Sequence, residues 1–185
     1  MARSLLKWAC AGLLALAVGA PAQAAEELTG TLKKANASGA VTIGYRESSL
    51  PFSYITQGAK QPMGYAIDLC REIVDDMSKF VGRPLDIKFQ PVTSANRFEA
   101  VTSGAVDLEC GSTTANAERR KLVDFSPVTF VSATKLMVKA GSPVKSYRDL
   151  DGKKVVVTDG TTNEEAVKAI AERLQMNVTI LKARD

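Results

Sequence analysis

Apolar and polar positions along this chain change period several times, and each change marks an element. From Gly64 to Val81, apolar side chains stand at Ala66, Leu69, Cys70, Ile73, Met77 and Phe80. That is helical spacing over roughly four turns, and Gly82-Arg83-Pro84 stops it. Leu85 to Val92 instead alternates through Leu85, Ile87 and Phe89, as a strand does. Short β-branched or apolar runs predict further strands at Ala40 to Gly44 (AVTIG), Ala105 to Glu109 (AVDLE), Lys153 to Thr158 (KKVVVT) and Asn177 to Leu181. Helices are predicted over Leu28 to Ser38, closed by Gly39, and from a Thr93 or Ser94 cap through Phe98 and Val101 to Gly104. Two more are predicted over Thr114 to Lys121 and over Thr162 to Leu174. Val128 to Lys139 is a long extended run, followed by a break at Gly141-Ser142-Pro143.

Strands alternating with helices predict an α/β fold with mainly parallel pairing. The composition shift near Gly141 marks a second unit, which comprises a strand, a helix and a strand. Such a fragment leaves apolar surface uncovered on Val155 to Val157 and Val178 to Ile180, an aggregation hazard.

Residues 1–24 stand apart from this pattern. Arg3 and Lys7 precede the apolar run Trp8 to Ala20, and Ala22-Gln23-Ala24 forms a small-residue cleavage site. These features predict a secretory leader cleaved after Ala24. The run is short for a membrane span, and Cys10 opens it, where a lipidation cysteine would close it. The remaining ~160 residues can hold one domain, or one lobe and part of another. The chain has 24 Lys and Arg against 20 Asp and Glu. Two of the bases lie in the leader, so the exported part carries half of the formal +4. The basic residues are scattered and form no stripe with interleaved aromatics, which gives no case for nucleic acid.

There is no His, which excludes His-based triads and His metal sites, and the cysteine spacing has no metal-ligand pattern. Outside the leader, Cys70 and Cys110 remain. Cys70 reads as a buried free thiol on the apolar face of its helix, although an exported compartment permits a disulfide. There is no P-loop and no GxGxxG. Glu47, Asp107 and Glu109 are acid–base candidates that nothing in the sequence pairs.

The chemistry gathers after the strands. YRESS (45–49), TSANR (93–97), CGSTT (110–114) and DGTTNEE (159–165) each follow a predicted strand's carboxyl end. Ligands of open α/β sheets bind in the crevice there, and helix N-termini add donors and partial positive charge. Three clusters contain or lead to an arginine: Arg46, Arg97 and Arg119. Arginine suits bidentate carboxylate or phosphate recognition. Taken singly, Ser94, Thr114 and Thr162 read as N-caps, Arg46 as the partner of a surface acid, and Arg120 and Lys121 as solvated charges. Taken together, the four clusters point to one shared site for a small carboxylate.

The stretches GYRESSLPFSY (44–54), MGYAIDLCREIV (63–74), TSANRFEAVTSGAVDLECGSTTANAERRKLVDFS (93–126) and VVVTDGTTNEEAV (155–167) resemble the periplasmic solute-binding proteins of amino-acid ABC importers, in particular the glutamate/aspartate-binding branch. The resemblance implies a periplasmic-binding-protein-like (type II) two-lobe α/β fold that closes on its ligand, with the first lobe largely present and the second incomplete. It implies a first lobe over 25–130, a crossover over 131–140 and a partial second lobe over 141–185. It places the ligand α-carboxylate on Arg119, Thr114 and the Thr161-Thr162 turn, with Thr162 favoured over Thr161. It places the ammonium against Ser112 and Thr114, and a side-chain carboxylate on Arg46, Arg97 and Ser94. Where the family has a disulfide, the partner of Cys110 lies beyond this stretch, so Cys110 is expected to be an orphan thiol unless Cys70 comes close.

The function so implied is capture of glutamate or aspartate in the periplasm for ABC permease membrane subunits, by a non-catalytic monomer without metal or cofactor. Because closure needs a complete second lobe, the 185-residue chain is expected to bind weakly or not at all. The alternatives are an enzyme on the same scaffold, such as a dehydratase or a lytic-transglycosylase-associated domain, and a receptor sensor domain.

Overall fold

A computed structural model describes residues 27–184, and the expected leader over 1–24 lies outside the described residues. The elements run α1 (Gly30–Ser38), β1 (Ala40–Tyr45), β2 (Ser48–Ser49), β3 (Ser53–Tyr54), α2 (Tyr65–Val81), β4 (Asp86–Pro91), α3 (Arg97–Thr102) and β5 (Leu108–Cys110). After a linking segment come β6 (Lys154–Thr158), α4 (Thr162–Arg173) and β7 (Thr179–Ala183).

β1 is the centre of a parallel sheet ordered β4-β1-β5. Ala40 pairs with Asp86 and Tyr45 with Pro91 on one side; Ile43 pairs with Leu108 and Tyr45 with Cys110 on the other. A strand covered on both faces needs apolar or small residues throughout, as AVTIGY supplies. Val41, Ile43 and Tyr45 form the core with Ala35 of α1 and with Ile67, Cys70 and Val74 of α2. Gly44 faces the other way, where a Cβ would meet Val106 Cγ2 at 3.2 Å and Val92 Cγ1 at 3.4 Å. The start of β5 is secured by Asp107, whose carboxylate accepts from Thr42 N and from Lys34 Nζ, both at 2.8 Å. Asp107 is therefore a structural acid, and its part in the acid–base set is withdrawn.

α2 forms where the periodicity predicts it, but a different stripe is buried. Ile67, Cys70 and Val74 face the sheet, while Ile73 is 41% and Phe80 61% exposed. This orientation also brings Cys70 to Cys110 at the end of β5. The two are joined by a disulfide with Cα atoms 6.4 Å apart, in place of the free thiol expected at Cys70, and Cys110 meets the stated exception in which Cys70 comes close.

Other boundaries shift for local reasons. α3 begins at Arg97 because Thr93 and Asn96 use their groups on each other: Thr93 N donates to Asn96 Oδ1 at 2.7 Å and Asn96 N to Thr93 Oγ1 at 3.2 Å. The helix expected over 114–121 shrinks to a 3-10 turn, Arg119–Lys121. Asn116 Oδ1 accepts from Arg119 N at 2.9 Å and so starts the turn late. The extended run over 128–139 forms no strand in the structure. It is tied to the first unit by Tyr65 Oη on the Thr129 carbonyl (3.0 Å) and by Phe130 against Phe52 and Tyr65. It is tied to the second unit by Thr134, which donates to Asn163 Oδ1 at 2.7 Å.

In the second unit β6 and β7 pair in parallel, with α4 between them in sequence. Val157 and Val167 are buried between strand and helix. The uncovered apolar surface expected on this pair is present at Val156, 64% exposed. Leu181, one residue beyond the expected stretch, is 45% exposed. Val157 is covered.

Candidate functional site

The carboxyl ends of β1 and β5, the start of α3 and the β6–α4 turn converge. Arg46 follows β1 directly and is buried, as are Ser94, Arg97 and Arg119. Burying three guanidinium groups together is costly unless acceptors or anions meet them. Part of that need is met by the backbone. Arg119 Nη1 donates to the Thr114 carbonyl at 3.0 Å. Arg97 Nη2 and Arg119 Nη2 both donate to the Gly160 carbonyl, at 3.3 and 3.4 Å. The Phe98 ring centroid is 5.2 Å from each Cζ, so one aromatic ring meets two cations.

Arg46 is set by a residue absent from the predicted set. Ser53 of β3 is fully buried; its hydroxyl accepts from Arg46 N at 2.9 Å and donates to the Arg46 carbonyl at 3.2 Å. The short β2–β3 hairpin thus fixes the direction in which the chain leaves β1.

The hydroxyl residues divide. Ser112 Oγ lies 2.6 Å from Ser49 Oγ at the exposed rim. Thr114 Oγ1 lies 3.4 Å from Thr162 Oγ1, a contact that joins the two units. Thr161, not Thr162, is the cap of α4: its hydroxyl accepts from Glu164 N at 3.4 Å and donates to the Thr158 carbonyl at 2.7 Å. With Thr161 committed to its own helix, Thr162 is the threonine of this turn that faces the first unit. All eight predicted residues therefore lie on or beside the facing edges of the two units.

Gly160 was also absent from the predicted set, although its cluster was noted. It has φ +71°, and a Cβ there would meet Ser94 O at 3.0 Å and Ala95 Cα at 3.3 Å. Only a glycine allows the β6–α4 turn to approach the turn before α3 this closely. Behind this turn Glu164 bonds to Lys168 and Lys182, which hold its carboxyl down to about 2 from an ordinary 4.5.

Of the remaining acid–base candidates, Glu47 is exposed. Glu109 is turned inward: burial raises its carboxyl above the usual range, against the pull of Thr113, Arg97, Arg46 and Arg119. No group of His, Cys, Asp and Glu suited to a metal ion occurs among the described residues, and no described helix is long and apolar enough to cross a membrane. The arrangement can hold an anion with several charge-assisted donors.

The sequence profile of the bacterial extracellular solute-binding proteins, family 3, matches residues 41–184. The chain belongs to this family. An L-glutamate/L-aspartate-binding protein of Pseudomonas aeruginosa is 42% identical over 186 residues, covering 100% of this chain and 60% of the relative. A glutamate/aspartate import solute-binding protein of Escherichia coli is 40% identical over 178 residues, covering 94% and 59%. The chain thus spans about 60% of the length of these family-3 relatives. Among solved structures, an ancestral amino acid-binding protein described as a precursor of cyclohexadienyl dehydratase superposes with a TM-score of 0.73 at 26% identity, over 83% of this chain and 65% of that one. An ancestral arginine-binding protein bound to glutamine gives 0.63 at 30% identity, over 78% and 60%. The fold is that of the type II periplasmic binding proteins, with part of the second lobe in this chain.

Proposed function

We propose that this chain serves an extracytoplasmic solute-binding protein that captures glutamate or aspartate for an ABC importer. The observation that carries this reading is the convergence of buried Arg46, Arg97 and Arg119 at one sheet edge. A ligand with two carboxylates offers such a cluster several anionic acceptors, at about 1.5–3 kcal/mol for each charge-assisted contact. Arg119, with Thr114 and Thr162, takes the α-carboxylate; Arg46 and Arg97, with Ser94, take the side-chain carboxylate; Ser112 and Thr114 meet the ammonium. Thr161 supports the turn as its cap. The lobes divide at 25–130 and 141–185 with a hinge between, and residues 1–24 export the chain to the periplasm. There it acts as a monomer, presenting its ligand to permease subunits. The activity is binding with lobe closure and no turnover.

The 40–42% identity to the glutamate/aspartate-binding proteins over nearly the whole chain supports the acidic ligand. Titration of the chain with L-glutamate, L-aspartate, L-glutamine and L-arginine, followed by NMR so that millimolar binding is visible, tests it. Responses at Thr114, Arg119 and Thr162 to the two acidic amino acids are expected. Tighter binding of arginine would overturn the reading.

A further inference from the structure

Arg97 and Arg119 reach the site from different elements, one at the start of α3 and the other in the 3-10 turn. Both are buried. Their backbones are fixed separately: Arg97 N donates to the Thr93 carbonyl at 3.1 Å, and Arg119 N to Asn116 Oδ1 at 2.9 Å. An arginine side chain has several rotatable bonds beyond its backbone. Fixed backbones alone therefore leave the spacing of the two guanidinium groups open.

Two groups narrow that spacing, one from each unit. The Gly160 carbonyl of the second unit accepts from both Nη2 atoms, at 3.3 and 3.4 Å. The two nitrogens are thus no farther apart than two hydrogen bonds span. In the first unit, the half-buried Phe98 ring has both guanidinium carbons over it, each 5.2 Å from the centroid and within cation–π range. The carbonyl belongs to the unit that would part from the arginines on opening. The ring belongs to the same unit as the arginines and follows Arg97 directly in the chain.

We propose that Phe98 is a positioning residue that sets the distance between Arg97 and Arg119, and with it the length of dicarboxylic amino acid this site accepts. The inference rests on the reading above, in which Arg119 takes the α-carboxylate and Arg97 shares the side-chain carboxylate. Phe98 acts through these two side chains and needs no contact with the ligand. A ring face attracts a guanidinium at short range, so two cations held on one ring present their donors at one spacing. L-aspartate, L-glutamate and L-2-aminoadipate carry the same two carboxylates and lengthen by one methylene at each step, so the series measures that spacing. A leucine at this position keeps an apolar side chain but offers no π face. The arginines would then adjust to whichever ligand arrives.

The test titrates the 185-residue chain and its Phe98→Leu and Phe98→Tyr forms with the three amino acids, followed by NMR. The wild type should prefer one length over its worst competitor by about ten-fold, the usual worth of a methylene step in a fitted site. In Phe98→Leu that ratio should shrink to about two-fold, and Phe98→Tyr, which keeps the ring, should restore it. A plain packing role would weaken all three ligands alike and leave the ratio unchanged. An unchanged ratio in Phe98→Leu, no restoration in Phe98→Tyr, or a wild type without length preference overturns the inference and leaves the functional reading standing. Binding of none of the three by the wild type at millimolar concentration overturns the functional reading and the inference with it. Because Phe98→Leu can impair folding, the wild type supplies a second readout. The Hε signals of Arg97 and Arg119 should both be moved upfield by the ring, with cross-relaxation to the Phe98 protons. Absence of either effect at either arginine overturns the proposal.

Discussion

Arg97 and Arg119 donate to one acceptor, the carbonyl of Gly160, and each guanidinium carbon lies 5.2 Å from the Phe98 ring centroid. A backbone carbonyl of the second unit thus sits where a bound anion's oxygen would also attract both guanidinium groups. The contact depends on how near Gly160 comes to Ser94, and a methyl group there has no room. Gly160→Ala should cost about 1–2 kcal/mol for the left-handed backbone alone. It should also push the two units apart, weakening any ligand response at Thr162 more than at Arg46. Thermal unfolding and residue-resolved NMR titration check the two parts separately.

Arg119 and Arg120 are neighbours with opposite fates. Arg119 is buried on Thr114 and Gly160, whereas Arg120 is exposed and lies 5.4 Å from the Phe125 ring. Arg119→Lys keeps the charge and loses the planar fork, so glutamate binding should weaken by roughly ten-fold or more, equivalent to about 1.5–3 kcal/mol. Arg120→Lys should leave it within about two-fold, since isolated surface charges contribute little. Parallel titrations of the two variants decide this.

Ser53→Ala removes the hydroxyl that both accepts from and donates to the Arg46 backbone in a fully buried position. Leaving those groups unsatisfied should cost about 1–3 kcal/mol, read by urea unfolding. The signature of a positioning role is a further loss of glutamate affinity after the stability loss is accounted for.

Most of the element types and the polar edge were legible because both follow from local pattern, while the 3-10 turn over Arg119–Lys121 and the β2–β3 hairpin were not. AVTIG can only be a covered strand, and four polar clusters after strands mark the crevice. What was not legible depends on contacts between distant residues. α2 carries two apolar stripes, and periodicity alone does not say whether Ile73 and Phe80 or Ile67 and Val74 meet the sheet. That choice is made by β1, and with it the reach of Cys70 to Cys110. Ser53 and Gly160 do their work through partners 7 residues away or, for Gly160, as far as 63. The cap of α4 was misplaced by one residue because Thr161 and Thr162 are chemically identical and only the turn geometry separates them.

The Cys70–Cys110 bond closes a loop with a sequence separation of 40, between the middle of α2 and the end of β5. In the chain-entropy account a loop of this length contributes about 4 kcal/mol. Reduction, or Cys70→Ser with Cys110→Ser, should lower the first unit's urea midpoint accordingly, and the second unit's hardly at all.

Acid should act first on the second unit. Glu164 is held at about 2 by bonds from Lys168 and Lys182 and by the Gly160 N–H, against an ordinary 4.5. A carboxylate whose value falls on folding contributes stability that is fully present above its unfolded value. That stability is lost as pH drops through the window from about 4.5 to about 2. The β6–α4 turn should therefore loosen below about pH 4. Because Gly160 N is one of the donors to Glu164, the Gly160 carbonyl should then move away from Arg97 and Arg119. Glu164→Gln should remove this acid dependence while lowering stability at neutral pH. Amide NMR of Gly160 and Thr162 from pH 7 down to about 1.5 should show wild-type shifts with a midpoint in that window and flat profiles in the variant. Equal profiles in the two proteins would place the acid sensitivity elsewhere.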